Sequence, residues 1–145
     1  IVLIRGNNIM LLTKASEYAL LSISLLANKN EPQDADTLSS ILGIPKSFLA
    51  KILQALARAG ILKSYKGTKG GFILLKDPKD IVILDIINVV EVKSANVFEC
   101  SNNKEVCGGG EEKANSCVIW PYLNKLQNKI DGFLSEVTLE DLLEK

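Results

Sequence analysis

Three cysteines, Cys100, Cys107 and Cys117, are the residues of this chain best suited to chemistry, and they are its only thiols. The residues between them are mostly Gly, Asn, Ser, Lys and Glu, with a glycine triplet at 108–110. Such a composition cannot build a hydrophobic core, and the triplet disfavours the interior of a helix or strand. A segment that gathers every thiol without burying itself predicts a metal centre. The alternative is a surface loop with incidental cysteines.

The composition bounds the protein class. With 145 residues, 47% of them hydrophobic and 23% charged, the chain is long enough for one domain, or one small domain with an extension. An odd number of cysteines argues against a disulfide-stapled secreted protein, and no apolar run reaches the length of a membrane span. Residues 1–9 are interpreted as a leader, with the functional start at Met10. We therefore expect a cytoplasmic protein that does not enter a membrane.

The zero net charge conceals a basic segment. Between Pro45 and Lys79 there are eight Lys and Arg residues and a single acid, Asp77, a net charge of +7. A basic segment within a neutral chain is the pattern of a protein that binds a polyanion. A solvated lysine-rich face is the alternative. The chain contains no histidine, so histidine-based acid–base or nucleophilic catalysis is excluded and no enzyme is predicted.

The first part of the chain predicts a helix-turn-helix. Thr13 can cap a helix over residues 14–27, and a short second helix starts at Asp34 or Asp36 and ends at Gly43. A third helix begins at Pro45 and stops at Gly60. Its apolar residues recur at helical spacing, and its other face carries Lys46, Ser47, Lys51, Gln54 and Arg58. A helix with such a face after a tight glycine turn can enter the major groove of DNA.

A hairpin follows directly. Residues 61–66 and 71–75 have strand character and are joined by Gly-Thr-Lys-Gly. The sequence KGTKGG is not a phosphate-binding loop, because a strand and not a helix follows it. The hairpin is interpreted as a wing whose Lys66 and Lys69 reach phosphate or the minor groove of DNA, with Thr68 as a further contact residue.

The remainder of the chain is predicted to be helical outside the cysteines. Residues 81–92 favour a helix, and Pro121 can open a long helix. Apolar residues in this long helix form a heptad seam: Leu123, Leu126, Ile130, Phe133 and Val137. The seam predicts dimerisation, with packing inside one subunit as the alternative. Thr138 to Asp141 resembles a capping box that starts a short terminal helix. The fold class is mainly α with a small β-hairpin: a winged helix-turn-helix plus a long dimerisation helix.

In their order, these motifs resemble one family, the IscR/NsrR-type (Rrf family) winged-helix transcription regulators, which include iron–sulfur sensors. The resemblance covers nearly everything from Met10 to Lys145. Besides the three cysteines, the stretches that carry it are MLLTKASEYA at 10–19, IPKSFLAKIL at 44–53, KGTKGGFILLKDP at 66–78, LDIINVVE at 84–91 and IDGFLSEVTLEDLL at 130–143.

The resemblance implies a homodimer that reads a palindromic operator in double-stranded DNA. It also implies an iron–sulfur cluster, 2Fe–2S or 4Fe–4S, held by Cys100, Cys107 and Cys117. Some relatives supply the fourth ligand from a carboxylate on the first helix of the partner subunit, and Glu17 occupies that position here. Glu17 can instead serve only to complement the helix dipole. Relatives space their cysteines more tightly than the six and nine residues found here, which leaves the cluster type open.

These inferences divide the chain into a winged helix-turn-helix domain at 10–80 and a region at 81–145 with the cysteines and dimerisation helices. The function expected is a DNA-binding transcriptional regulator, a repressor, gated by an iron–sulfur cluster. The alternative is a cluster-free dimeric regulator of the same fold, controlled by a partner protein, an effector or thiol oxidation. A zinc site of three thiolates and one carboxylate is a further alternative.

Overall fold

The computed structural model describes residues 12–91, 96, 100–101, 103–107 and 109–144. Seven helices lie in these residues, together with two strands and two short 3₁₀ turns at Pro78–Asp80 and Lys104–Val106. The helices are α1 (Lys14–Leu26), α2 (Ala35–Leu42), α3 (Lys46–Arg58), α4 (Ile83–Val90), α5 (Gly110–Ser116), α6 (Trp120–Glu136) and α7 (Leu139–Leu143). The strands are β1 (Leu62–Tyr65) and β2 (Gly71–Leu74). The predicted leader at 1–9 and the start at Met10 lie outside the described residues.

Local capping explains where the first three helices begin and end. The Thr13 side chain accepts a hydrogen bond from the Ala15 N–H, and the Asp34 carboxylate accepts one from the Thr37 N–H. Gly43 ends α2 with φ +66°, a conformation that glycine adopts without steric cost. The chain turns there and enters α3 after Pro45, as the sequence predicts. Helices α2 and α3 are bent by 119° relative to each other.

Antiparallel strands β1 and β2 form the predicted hairpin, with Leu62 opposite Leu74 and Tyr65 opposite Gly71. A third backbone segment joins it, because the N–H and C=O of Gln33 each pair with Phe72, at 3.0 and 2.9 Å. Gly71, at φ +143°, permits this approach, since a Cβ there would collide with the Gln33 carbonyl. The hairpin is thereby fixed to the chain just before α2.

One hydrophobic core holds α1, α3 and α4 together, and its fully buried residues include Ile23, Leu53 and Ile86. Tyr18 of α1 meets Phe48 of α3 edge to face, with ring centroids 5.6 Å apart. Leu139 of α7 is also fully buried in this core. Residues from both predicted regions, 10–80 and 81–145, therefore share it. No single helix in the described part of the chain is long and apolar enough to cross a bilayer; α2 and α3 meet that test only as a bent pair.

The C-terminal helices agree with the sequence in most respects. Helix α6 starts at Trp120, one residue before Pro121, and the Thr138–Asp141 capping box is present in both directions. The predicted helix at 81–92 is shorter, since α4 ends at Val90.

The heptad seam is wrong at Val137. Helix α6 ends at Glu136, and Val137 is extended, with its carbonyl accepting a hydrogen bond from the Ile83 N–H at 2.9 Å. Its side chain packs on the chain's own core.

Candidate nucleic-acid interface and cysteine segment

The outer face of α3 carries the polar residues that the sequence predicts for DNA contact. All are exposed: Lys46, Ser47, Lys51, Gln54 and Arg58. The opposite face is buried through Leu49, Ile52, Leu53 and Leu56. Burial of this apolar side fixes the rotation of α3, because turning the helix would expose four large hydrophobic side chains. The polar face is therefore held outward by the core.

Lys46, at the start of α3, is already engaged. Its Nζ lies 2.7 Å from each carboxylate oxygen of Asp36 on α2. Both side chains are more than half exposed, at 59% and 69%, so the ion pair contributes little stability. A DNA phosphate at this position would have to replace Asp36 as the partner of Lys46. Asp36 was not predicted to take part in the interface.

The wing, defined as β1, β2 and residues 66–70 between them, exposes its three predicted contact residues Lys66, Thr68 and Lys69. Strand β1 adds a pair that sequence reasoning did not assign. The Nζ of Lys63 lies 5.0 Å from the centroid of the Tyr65 ring, and Tyr65 is 45% exposed. Lys63 belongs to the basic segment, so the charge pattern of the sequence could have identified it as a candidate DNA contact. The wing and α3 both expose basic side chains, and α3 adds the amide of Gln54.

The cysteine segment, residues 100–117, is not the loop that its composition indicates. A 3₁₀ turn covers Lys104–Val106 and α5 covers Gly110–Ser116, with Gly109 and Gly110 at the start of that helix and not in its interior. The triplet ends where the helix starts, and Glu111 and Glu112 lie in the first turn, where the helix dipole favours acidic residues. Ala114 is buried, so the segment also buries part of itself.

All three cysteines are free thiols of intermediate exposure. Cys107 follows the 3₁₀ turn, and Cys117 follows α5. No group of three or more acidic, thiol or imidazole side chains that could hold a metal occurs within the described ranges. The structure of a single chain therefore does not gather Cys100, Cys107, Cys117 and Glu17 into one site.

The start of the cysteine segment is fastened to α6. The indole N–H of Trp120 donates to the Cys100 carbonyl at 2.7 Å, and the Asn124 amide donates to the Ser101 carbonyl at 2.9 Å. The Nζ of Lys104 lies 5.6 Å from the Trp120 ring. Sequence reasoning missed Trp120 and Asn124. Their spacing of one helical turn was visible, but their partner atoms are backbone carbonyls, which carry no sequence signal.

Glu17 lies exposed in the first turn of α1, with its carboxylate 2.6 Å from the Nζ of Lys14. The hydrogen bond and charge of Glu17 raise the pKa of the Lys14 ammonium. Glu17 would have to leave Lys14 in order to bind a metal. In type, three thiolates and one carboxylate fit an iron–sulfur cluster or zinc.

Glu91, which sequence reasoning did not single out, fixes the start of α1. Its carboxylate accepts hydrogen bonds from the Thr13 N–H at 2.8 Å, the Thr13 hydroxyl at 2.9 Å and the Ser16 hydroxyl at 2.6 Å. Burial alone would raise the pKa of Glu91, but these hydrogen bonds outweigh it and lower the pKa. Hydrogen bonds thus join Glu91, at the end of α4, to Thr13 and Ser16 at the start of α1, just before Glu17.

Comparison with known proteins identifies the family. The Rrf2 family, described as iron-dependent transcriptional regulators, matches residues 12–145 of the chain. The chain belongs to the Rrf2 family. It is a transcriptional regulator of a DNA-binding family and not an enzyme, in agreement with the sequence prediction. The winged-helix fold class is likewise confirmed.

Individual Rrf2 relatives extend along nearly the whole chain. The HTH-type transcriptional regulator IscR of Photorhabdus laumondii is 31% identical over 137 residues, which cover 92% of this chain and 79% of that protein. The structure of T. potens IscR is similar with a TM-score of 0.70 at 23% identity, over 96% of this chain and 88% of that one. The oxidized form of Staphylococcus aureus CymR is similar with a TM-score of 0.71 at 20% identity, over 94% and 98%. These two structures establish the fold.

Proposed function

We propose that this Rrf2 regulator is a homodimer that binds a palindromic operator and is gated by an iron–sulfur cluster. Cys100, Cys107 and Cys117 would hold the cluster, and Glu17 of the partner subunit would supply the fourth ligand. The observation that carries the proposal is the set of three free, half-buried thiols on a segment fastened to α6. The similarity to a protein named IscR supports it.

The DNA-binding part of the proposal rests on α3 and the wing. Lys51 and Gln54 on the exposed face would reach base edges in the major groove, while Lys66 and Lys69 on the wing would contact phosphates. Lys46 would leave its ion pair with Asp36 and form one with a DNA phosphate instead. Several lysine–phosphate contacts make binding strongly salt-dependent.

The regulatory part rests on how the cysteine segment is joined to the helices. Cys100 is bonded through its carbonyl to Trp120, and Cys117 lies three residues before Trp120 in the chain, so both ends of the segment meet at the start of α6. A bound cluster would supply a redox-active centre held by thiolates. Thiolates drawn together here, and to Glu17 across the dimer, would fix α6 relative to the partner's α1. The position of α6 relative to the partner's α1 would in turn set the separation of the two α3 helices. The cluster site and the DNA-binding surface would then be coupled by a free energy of about 1–3 kcal/mol.

The cluster-free alternative keeps the DNA-binding function and uses the thiols as oxidation sensors. It is supported by the absence of a preassembled ligand group among the described side chains. Oxidation of free, partly exposed cysteines in a shared segment is chemically feasible without any metal.

Anaerobic purification separates the two candidates. We expect a visible iron–sulfur absorption band, with iron and acid-labile sulfide in the isolated protein. Glu17→Ala is expected to speed loss of that band in air while leaving the thermal unfolding midpoint unchanged, because Glu17 is exposed. Glu31→Ala, an exposed loop carboxylate, is the control and should leave the band stable. Protein without iron and sulfide would refute the cluster.

A further inference from the structure

Trp120 contacts the cysteine segment in two ways. Its N–H donates to the Cys100 carbonyl at 2.7 Å, and its ring faces the ammonium of Lys104 at 5.6 Å. An indole N–H is a donor only, so Trp120 cannot act as a metal ligand through this atom. Any effect of Trp120 on ligand binding must therefore come from how it positions the cysteine segment.

Asn124 reinforces the same contact. Trp120 and Asn124 are one turn apart and so share a face of α6. Their hydrogen bonds reach successive carbonyls, those of Cys100 and Ser101, and Ser101 is fully buried beneath this contact. The start of the cysteine segment, Cys100 and Ser101, is therefore hydrogen-bonded to the first two turns of α6. Cys117 is close to the start of α6 along the chain, because only two residues separate it from Trp120.

We infer that Trp120 is a positioning residue that holds Cys100 beside the start of α6 before any ligand is bound. This inference rests on the proposed function only for its purpose, which is to bring two of the thiols near each other in advance. Closing a flexible segment has an entropic cost, and a segment whose ends are already fixed loses less entropy on ligation. Asn124 has the same positioning role through its hydrogen bond to the Ser101 carbonyl.

The inference also makes Trp120 a reporter, because it is the only tryptophan of the chain. Its emission reports the environment at the start of α6, where the cysteine segment is bound. Release of the segment from α6 should expose the indole and shift its emission to longer wavelength.

Alkylation of the reduced, metal-free full chain tests the inference without requiring a cluster. The rate at each cysteine is measured with N-ethylmaleimide and mass spectrometry. Trp120→Phe keeps a ring but removes the donor. It should raise the Cys100 rate about fivefold, the factor expected for one lost hydrogen bond, with little change at Cys107. Lys125→Ala is the control, since Lys125 is exposed on the same helix outside these contacts, and this variant should leave all rates unchanged.

Asn124→Ala provides a second variant that retains the tryptophan. It should raise the Cys100 rate and shift the emission of Trp120 to longer wavelength. An unchanged Cys100 rate in both variants, or an equal rise at all three cysteines, would overturn the inference. If the wild type contains no iron or sulfide and Trp120→Phe still selectively exposes Cys100, the positioning role stands and the proposed cluster function falls.

Discussion

At the scale of single residues, Glu91 is the contact on which the start of α1 depends. Its carboxylate accepts from a backbone N–H and two hydroxyls, all from Thr13 and Ser16. Because its pKa is lowered in the folded state, its contribution to stability is fully present above the ordinary value of 4.5 and is lost as the pH falls through the folded pKa.

We predict that Glu91→Gln lowers the free energy of unfolding by about 1 kcal/mol at pH 7, because hydrogen bonds to a charged acceptor are replaced by weaker ones. The difference from wild type should shrink as the pH falls from 4.5 through the lowered pKa of folded Glu91. Urea unfolding at a series of pH values measures this. Glu31→Gln, in an exposed loop, should follow the wild-type curve throughout. A Glu91→Gln deficit that persists unchanged at low pH would contradict the assignment.

Sequence reasoning identified the residues that act through their own type and spacing, and missed those that act through distant backbone. Thr13 as a cap and Glu17 in the first turn follow from local rules. Glu91 reaches Thr13 across 78 positions of the chain, and Trp120 reaches Cys100 across 20. Periodicity and capping rules do not report such separations, so neither contact could be predicted.

At the scale of elements, the proposal gives α3 and the wing separable tasks in DNA binding. The exposed face of α3 presents Lys51 and Gln54, which are of the types that read guanine and adenine edges. The wing presents exposed lysines on the turn between its strands, and contacts from them to phosphates would carry no base information directly. Specificity and general affinity should therefore respond to different substitutions.

We predict that Lys51→Ala or Gln54→Ala lowers the ratio of operator to nonspecific affinity about 5- to 150-fold. Lys69→Ala should instead weaken binding to both DNAs alike and reduce the slope of log affinity against log salt by about 1. Fluorescence anisotropy on operator and scrambled duplexes over a salt series measures both quantities. Equal losses on the two DNAs for Lys51→Ala and Gln54→Ala would make these residues phosphate contacts.

Most elements were predictable because their ends are marked by residues with strong local preferences. Pro45, Gly43 and the Thr138–Asp141 box each mark a boundary that the structure contains. Helix α5 was missed because its start at Gly110, with φ +88°, has no local preference for helix, and its buried Ala114 depends on contact with the 3₁₀ turn. The composition of the segment indicates a loop and could not supply that contact.

At the scale of the whole molecule, the long helix presents an apolar stripe that its own subunit leaves uncovered. The stripe consists of Ile119, Tyr122, Leu126 and Phe133, exposed by 57%, 77%, 46% and 66%. Its steps of three, four and seven residues place it on one face of α6. A 17-residue helix is about 25 Å long, enough to form the centre of an interface of about 800 Å² per partner. The stripe supports the proposed homodimer and shares only Leu126 and Phe133 with the predicted seam, because Leu123, Ile130 and Val137 are partly buried.

We predict that Phe133→Asp converts the proposed dimer to a monomer, because a charge placed in the middle of an apolar interface loses its hydration without gaining a partner. Sedimentation velocity measures the change. Operator affinity should fall about 100-fold or more, since the two half-sites would no longer be bound by linked heads, while affinity for a single half-site should be unchanged. Ile41→Asp is the matched control for oligomeric state, because Ile41 is 55% exposed on α2, away from the stripe, and this variant should remain a dimer. A dimeric Phe133→Asp protein would exclude the α6 stripe as the interface, and with it the route by which the cysteine segment is proposed to set the distance between the DNA-binding helices.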